Sequence, residues 1–406
     1  MQSAALPTDP PLRIDAMDAA RGLAVCGIVL LNIYNFAMPP AAYFNPLAYG
    51  DAGAAGLAIW AVESIFAQDA FRAIFAMLFG AGVAILFERG GPRPLRAHVA
   101  RMAVLLVIGW VHAVVLNNGD VLRLYAVTGL LLPPLLRLNQ RGLLSAVGVL
   151  AAVHCLALGW FAWSWLRYWW DVRQGLADPS ALAMWQGEFG VDSAAMERGL
   201  VTGRESLGER VARRAFLWQG PLIIFAVFLP QTLAAMLLGV WGWRSELFQA
   251  RWNPGRAGGF ARILVLVALP PMVVLCALAF WSGFAGPVVG TTALVWSQPF
   301  AVALGLAYVA MLYAQWAGRR LTRGIGMRLA AAGRLSLSNY IGASVVMAAL
   351  FHSWGLGWFG LVNRVESTLI ALGVIALILT VSPLWSPRFG LGPFERLWRA
   401  GARALS

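Results

Sequence analysis

Apolar runs close to the ~20 residues that a bilayer core requires alternate along this chain with polar connections. The pattern predicts an all-α polytopic membrane protein of about ten spans, near 22–38, 70–87, 102–117, 121–137, 142–166, 216–243, 260–282, 290–316, 335–353 and 366–385. Segment 54–67 (AAGLAIWAVESIFA) is apolar but short and carries Glu63. Counting it as a span would invert the downstream loops against their charge, so it reads as one short interfacial or re-entrant helix.

Charge sets the orientation. The chain has no lysine, and its arginines crowd 88–101, 137–141, 244–262, 319–334 and the tail, which are every second connection. By the positive-inside rule these five are cytoplasmic, and both termini with them. The connections 39–69, 118–120, 283–289 and 354–365 carry little positive charge, as an outer face should. The long connection 167–215 mixes both signs and falls outside by parity. The expected organisation is a single integral-membrane domain, 1–406, with a cytoplasmic lead (1–21), an extracytoplasmic connection (167–215) and a cytoplasmic tail (386–406).

Composition agrees. A mean hydropathy of +0.70 with 60% hydrophobic and 12% charged residues excludes an ordinary soluble domain. The net charge of +13 sits at span ends beside an anionic leaflet, so it calls for membrane lipids and not for nucleic acid. Tryptophans near span ends, such as Trp169, Trp170, Trp241 and Trp354, fit interfacial belts. Cys26, Cys155 and Cys276 lie in separate putative spans without paired spacing, which argues against a disulfide framework or a metal site. The polar start, lacking a small-residue cleavage site in the right place, makes the first span an anchor and not a signal peptide.

Polar residues within spans are costly in lipid and are therefore the functional candidates. At the inner face stand Asp18 and Arg21 opening the first span, with Arg334, Ser336, Ser338, Asn339 and Tyr340 opening the ninth. In the outer half stand Asn32 and Asn35, Asp69 and Arg72, His112, Asn117, Asn118 and Asp120, Arg123 and Tyr125, and His352. Asp69 and Arg72 are three apart on one helical face and can pair. The short Asn117-Asn118-Gly119 turn forces two antiparallel helices together, so Asp120 or Tyr125 can approach His112. A histidine oriented by a carboxylate has the form of a general base; it has equally the form of a cross-helix hydrogen bond. Asp18 and Arg21 also suit the helix dipole and headgroup anchoring, and Ser336, Ser338 and Asn339 suit a helix cap.

Five ordered blocks, RIDAMDAARGLAVCGIVLLNIYNF, FRAIFAMLFGAGVAILFERG, RMAVLLVIGWVHAVVLNNGDVLRLYAVTGLLLP, AAGRLSLSNYIGASVVMAALFHSWGLGWFG and GPFERLWR, resemble those of the YeiB family of bacterial inner-membrane proteins, also called domain of unknown function 418. Matched residue by residue, the resemblance points to Asp18, Arg21, Gly22, Asn32, Phe71, Arg72, Phe79, Gly80, His112, Gly119, Asp120, Tyr125, Asn339, Tyr340, Gly392, Pro393, Glu395, Trp398 and Arg399. Where the family often has lysine before Phe71, this chain has Ala70. The Asp-x-x-Arg-Gly opening looks like that of the transmembrane acyltransferase superfamily. By implication the chain would move an acyl group from a cytoplasmic acyl-CoA or similar donor to an extracytoplasmic glycan, lipid or small-molecule acceptor. Relatives with transfer chemistry carry a histidine soon after the first span, and residues 22–97 here have none.

Two classes of function follow. As an acyltransferase, the protein would bind the donor through Asp18, Arg21, Arg334, Asn339 and Tyr340, guanidinium suiting phosphate. His112 would be the base, with Asp120, Asp69 and Tyr125 beside it, while Asn32, Arg72 and His352 line the substrate path. As a transporter or lipid-handling protein, the same residues would line a route without chemistry. The sequence fixes no oligomeric state, and a homodimer is compatible with it. Reporter fusions at either end are expected to report cytoplasmic termini; an extracytoplasmic C-terminus would overturn the orientation.

Overall fold

The computed structural model describes residues 15–50, 53–89, 93–217 and 219–406; residues 1–14 of the expected lead lie outside the described residues. Among the described residues all regular structure is helical.

The first helix, α1 (Asp15–Ala37), opens with Asp15 and Asp18 in its first turn, where negative charge suits the helix dipole. Then come α2 (Ala54–Phe66), α3 (Ala70–Arg89), α4 (Pro94–Val115) with proline in its first turn, and α5 (Leu122–Leu130). Helix α6 (Gln140–Val153) is capped by the Asn139 side chain, which accepts from the Gly142 N–H, and continues through a π-turn into Gly159–Arg173. Helices α7 (Gln219–Arg244), α8 (Pro254–Trp281) and α9 (Gln298–Ala317) follow. The last four are α10 (Ile325–Arg334), α11 (Ser336–Phe351), α12 (Arg364–Phe389) and the terminal α13 (Pro393–Leu405).

Eight helical stretches among the described residues are long and apolar enough to cross a membrane, or nine if α10 and α11, bent by 88° at their junction, count as one. The sequence led to about ten. The missing one is 121–137, which folds as nine residues of α5 and a four-residue turn, Leu132–Leu135, around Pro133 and Pro134. That is too short to span alone, about 20 Å of helix. It still runs toward the arginine-rich end, where Arg244 holds the carbonyls of Leu136 and Leu138 at 2.8 and 2.9 Å and pairs with Glu88 at 3.0 Å. As its length and charge suggest, segment 54–67 is not a separate crossing. It forms α2, which with α3 makes one apolar stretch, Ala54–Arg89, so it adds no separate crossing. The two helices break at Asp69, whose φ is +59°, a left-handed conformation that aspartate tolerates better than most residues. Glu63 is buried and paired with Arg364 of α12 at 3.3 Å, which binds α2 to the bundle instead of to headgroups.

Connection 167–215 folds as helices Ala183–Phe189, Ser193–Gly203 and Leu207–Ala215, a cap over the end opposite the arginines. The capping box of Ser206 and Glu209 starts the last of these. Its Arg214 reaches the Ala113 carbonyl near the top of α4 at 3.3 Å.

Glycine sets how closely α1 approaches α10. A Cβ at Gly22 would sit 2.0 Å from the Leu329 carbonyl oxygen, and one at Gly333 would sit 1.7 Å from that of Asp18. Backbone contact of this kind is how small residues pack helices where lipid offers no hydrophobic drive. Gly22→Val is expected to lower the melting temperature in detergent, overpacking costing about 1–3 kcal/mol or more. Gly373→Ala, at a helical position with nothing within 4 Å, should leave it unchanged or slightly higher. Tryptophan-fluorescence melts of both variants give the comparison, and equal melting points would refute the crossing's importance.

Candidate functional site

A cavity of about 310 Å³ lies at the arginine-rich end between α1, α3, α4, α5, the α10–α11 break and α13. Four arginines line it, Arg21, Arg101, Arg334 and Arg399, against two carboxylates, Asp18 and Glu395. Both carboxylates have partners. Asp18 pairs with Arg21 at 2.9 Å. Glu395 caps α11 instead of balancing an arginine: its Oε1 accepts from the backbone N–H groups of Leu337 and Ser338 at 2.8 and 3.1 Å, and its Oε2 accepts from the Ser338 hydroxyl. The mouth is therefore net positive. Deeper in, the lining turns apolar: Phe75, Phe79, Met102, Leu105 and Leu122, ending at Tyr125. An amphiphile with an anionic head and an apolar tail matches that gradient, since buried guanidinium groups need anionic partners and apolar walls favour a chain that leaves water.

Beyond the cavity's deep end lies the pairing that the tight turn predicts. His112 Nδ1 is 3.0 Å from Asp120 Oδ1, and both residues are buried. The ring N–H direction does not point squarely at that oxygen, so the contact is one of charge and proximity more than of aligned hydrogen bonding. The other ring nitrogen, Nε2, is 2.9 Å from Ser344 Oγ on α11. Asp120 Oδ2 accepts the Arg123 backbone N–H at 2.9 Å, and the Tyr340 hydroxyl approaches Oδ1 at 3.4 Å. The Tyr340 ring lies 4.9 Å from the imidazole, centroid to centroid.

The outer polar cluster expected from sequence does not form one cavity. Tyr125 is separated from His112: its hydroxyl donates to the Arg72 carbonyl at 2.7 Å, and its ring faces the arginine-lined cavity. Asp69 and Arg72 pair at 2.9 Å as the spacing suggests, but they also engage Gln298 of α9 and, through Arg72, Gln231 of α7 at 3.1 Å. This network ties α3 to α7 and α9 and stands apart from His112. Asn32 is buried on α1 and joins none of these networks among the described residues.

His352, expected on a substrate path, instead anchors the cap. Arg210 Nη1 lies 2.8 Å from His352 Nδ1, the imidazole stacks on Phe36, and Glu205 holds Arg210 and Arg213. At the inner end Asp18, Arg21 and Arg334 line the cavity, but Asn339 does not. Its amide donates to the Ala332 carbonyl and the Ser382 hydroxyl, bracing the α10–α11 break. Tyr340 belongs with His112 and Asp120. Sequence reasoning did not reach Ser344 or the pairing of Glu63 with Arg364. Ser344 sits within an unremarkable apolar helix, and besides the Tyr340 carbonyl of its own helix it meets His112 only because α11 and α4 come together.

Residues 242–404 match the family described as "Protein of unknown function (DUF418)". Across almost the whole chain there is similarity to the "Uncharacterized protein YeiB" of Escherichia coli (strain K12), 28% identical over 94% of each chain. The "Uncharacterized protein YxaH" of Bacillus subtilis (strain 168) is 26% identical over 97% of this chain and 95% of its own. The matched family region holds Arg334, Ser344, Glu395 and Arg399, whereas His112 and Asp120 lie in the part covered by the full-length relatives.

The cap contact carries a pH dependence. Burial, then the Arg210 and Arg214 guanidiniums, push the His352 pKa down to about 3, against about 6.5 for a free histidine. The neutral ring's contribution to folding is thus full above the unfolded pKa and is lost as pH falls from there toward 3. Hydrogen exchange across 193–215, corrected for intrinsic rate, is expected to quicken between pH 7 and pH 4.5. His352→Gln should flatten that dependence. Equal protection of the unaltered protein at both pH values would contradict it.

Proposed function

Since the chain belongs to the YeiB family of membrane proteins, whose similar relatives carry no named activity, we propose its function from the cavity itself: an acyltransferase that takes an anionic, acyl-bearing donor from the arginine-rich end. The single observation behind this is the lining, four arginines at the mouth and an apolar wall beyond. By the positive-inside rule that end faces the cytoplasm of a bacterial inner membrane, which is where an acyl-CoA-like thioester would be met. Arg21, Arg101, Arg334 and Arg399 would hold its phosphates, and Phe75, Phe79 and Leu122 its acyl chain. His112 with Asp120, just past the deep end, would supply the base for an acceptor reached through the other half of the bilayer, a lipid or a glycan.

A second reading rests on one observation. His112 is enclosed, with partners near both ring nitrogens, and no described cavity includes it in its lining. A protein that holds or moves an anionic lipid without chemistry would use the same cavity and leave the histidine as a cross-helix tie. The two readings part on thioester consumption.

Purified protein in nanodiscs, given acyl-CoA donors of several chain lengths and a membrane extract, is expected to release free CoA. His112→Ala should lower that rate by roughly 10²–10⁴-fold with donor binding nearly intact. Arg334→Ala should weaken donor binding by about 10-fold or more, a hydrogen bond to a charged group being worth ~1.5–3 kcal/mol. No CoA release across the panel, together with saturable binding of an anionic lipid, would move the function to the second reading.

A further inference from the structure

We infer that Ser344 is a nucleophile, and that Ser344, His112 and Asp120 form a charge-relayed triad able to carry an acyl group as a serine ester; this rests on the acyltransferase reading for its donor. The three side chains come from α11, α4 and the turn before α5, and they stand in the order that activates a hydroxyl: Ser344 Oγ 2.9 Å from His112 Nε2, and His112 Nδ1 3.0 Å from Asp120 Oδ1. A nucleophile within hydrogen-bond reach of a base that is itself held by a third group is the general signature of covalent acyl catalysis, recognised by geometry and not by chain order.

The proton inventory favours this arrangement. A carboxylate can only accept, so hydrogen is assigned to His112 Nδ1, which lies 3.0 Å from Asp120 Oδ1 though its N–H is not in line with that oxygen. Nε2 then presents a lone pair to the Ser344 hydroxyl. The alternative partner of that hydroxyl is the Tyr340 carbonyl at 3.1 Å, the ordinary back-bond of a helical serine. With hydrogen on Nδ1 the two contacts share the one hydroxyl proton, so the hydroxyl has a resting position on the Tyr340 carbonyl and an activated one on Nε2.

Ser344 lies outside the cavity's lining but on the face of α11 that borders it. Leu337, which lines the cavity, Tyr340 and Ser344 are spaced three and four apart and so share a side of α11. Seven residues separate Leu337 from Ser344, about 10.5 Å along the axis, and the Tyr340 ring stands between. That ring has to turn aside for an acyl thioester carbonyl to meet Ser344.

The step balances. Ser344 Oγ bonds to the thioester carbonyl carbon as its proton passes to His112 Nε2; the carbon–sulfur bond then breaks, and the leaving thiolate takes that proton from the imidazolium. In the second half, an acceptor hydroxyl gives its proton to Nε2 and bonds to the same carbon, and the Ser344 oxygen leaves with the proton.

The test uses the full chain in nanodiscs, treated first with a fluorophosphonate probe and separately with acyl-CoA, followed by peptide mass spectrometry. The expected results are a phosphonyl adduct and an acyl adduct at Ser344, both absent in Ser344→Ala. His112→Ala and Asp120→Asn should slow phosphonylation by roughly 10²-fold or more. Size-exclusion profiles and melting curves check that Ser344→Ala is folded, and Ser344→Cys, which keeps a nucleophile, should regain an acyl adduct. CoA release by Ser344→Ala at the unaltered rate would overturn the nucleophile and leave the acyltransferase reading standing. A probe adduct at Ser344 without CoA release would keep the nucleophile and remove acyl-CoA as donor. Neither adduct nor release would end both.

Discussion

The Glu395 carboxylate at the start of α11 is the interaction on which the rest of the inner half depends. Helix α10 ends at Arg334 and α11 sets off at 88° one residue later. Such a break frees backbone N–H groups that are buried here and need partners. Glu395 accepts from Leu337 N–H, Ser338 N–H and the Ser338 hydroxyl, while Asn339 closes the other side on the Ala332 carbonyl. The terminal α13 is thereby fastened to the bundle, and Trp398 adds a bond to the Arg101 carbonyl at 2.9 Å. The cavity is the space that this bend leaves between α1, α3 and α4.

Glu395 spends its hydrogen bonds on the cap, Asp18 pairs with Arg21 and Asp15 lies 3.5 Å from Arg334, yet the four lining arginines still outnumber the two lining carboxylates. The same device recurs elsewhere with the opposite result. Glu63 is consumed by Arg364 and the Tyr34 hydroxyl, and Asp69 by Arg72 and Gln298. In those places carboxylate and guanidinium close on each other and bind helices together, as intramembrane charges generally must. At the arginine-rich end four arginines line the cavity against two carboxylates, and that surplus is what the proposed anionic ligand would meet.

Helix α11 links this inner cavity to the buried histidine. Its first turn forms the cavity edge, its middle carries Tyr340 and Ser344 against His112 and Asp120, and its far end delivers His352 to Arg210 of the cap. One helix thus touches the arginine-lined cavity, the His112–Asp120–Ser344 cluster and the covered opposite end. The close α1–α10 crossing at Gly22 and Gly333 fixes where that element begins.

The membrane class, most of the spans and the two polar levels were legible in the chain because apolar run length and arginine placement are local and additive, each set by transfer between lipid and water. The His112–Asp120 approach was legible for a related reason, since a three-residue turn leaves adjacent helices no freedom to part. Tertiary structure decided what depends on partners distant in sequence. It made 121–137 a short, proline-broken descent, joined 54–67 to the span after it, and moved Tyr125 to the Arg72 carbonyl. It also turned His352 from a path residue into an anchor for the cap. It set Ser344 against His112 across 232 residues and assigned Glu395 to a helix end 57 residues away. Hydropathy records the cost of placing a polar group in lipid, but which group offsets that cost is settled only when the helices pack.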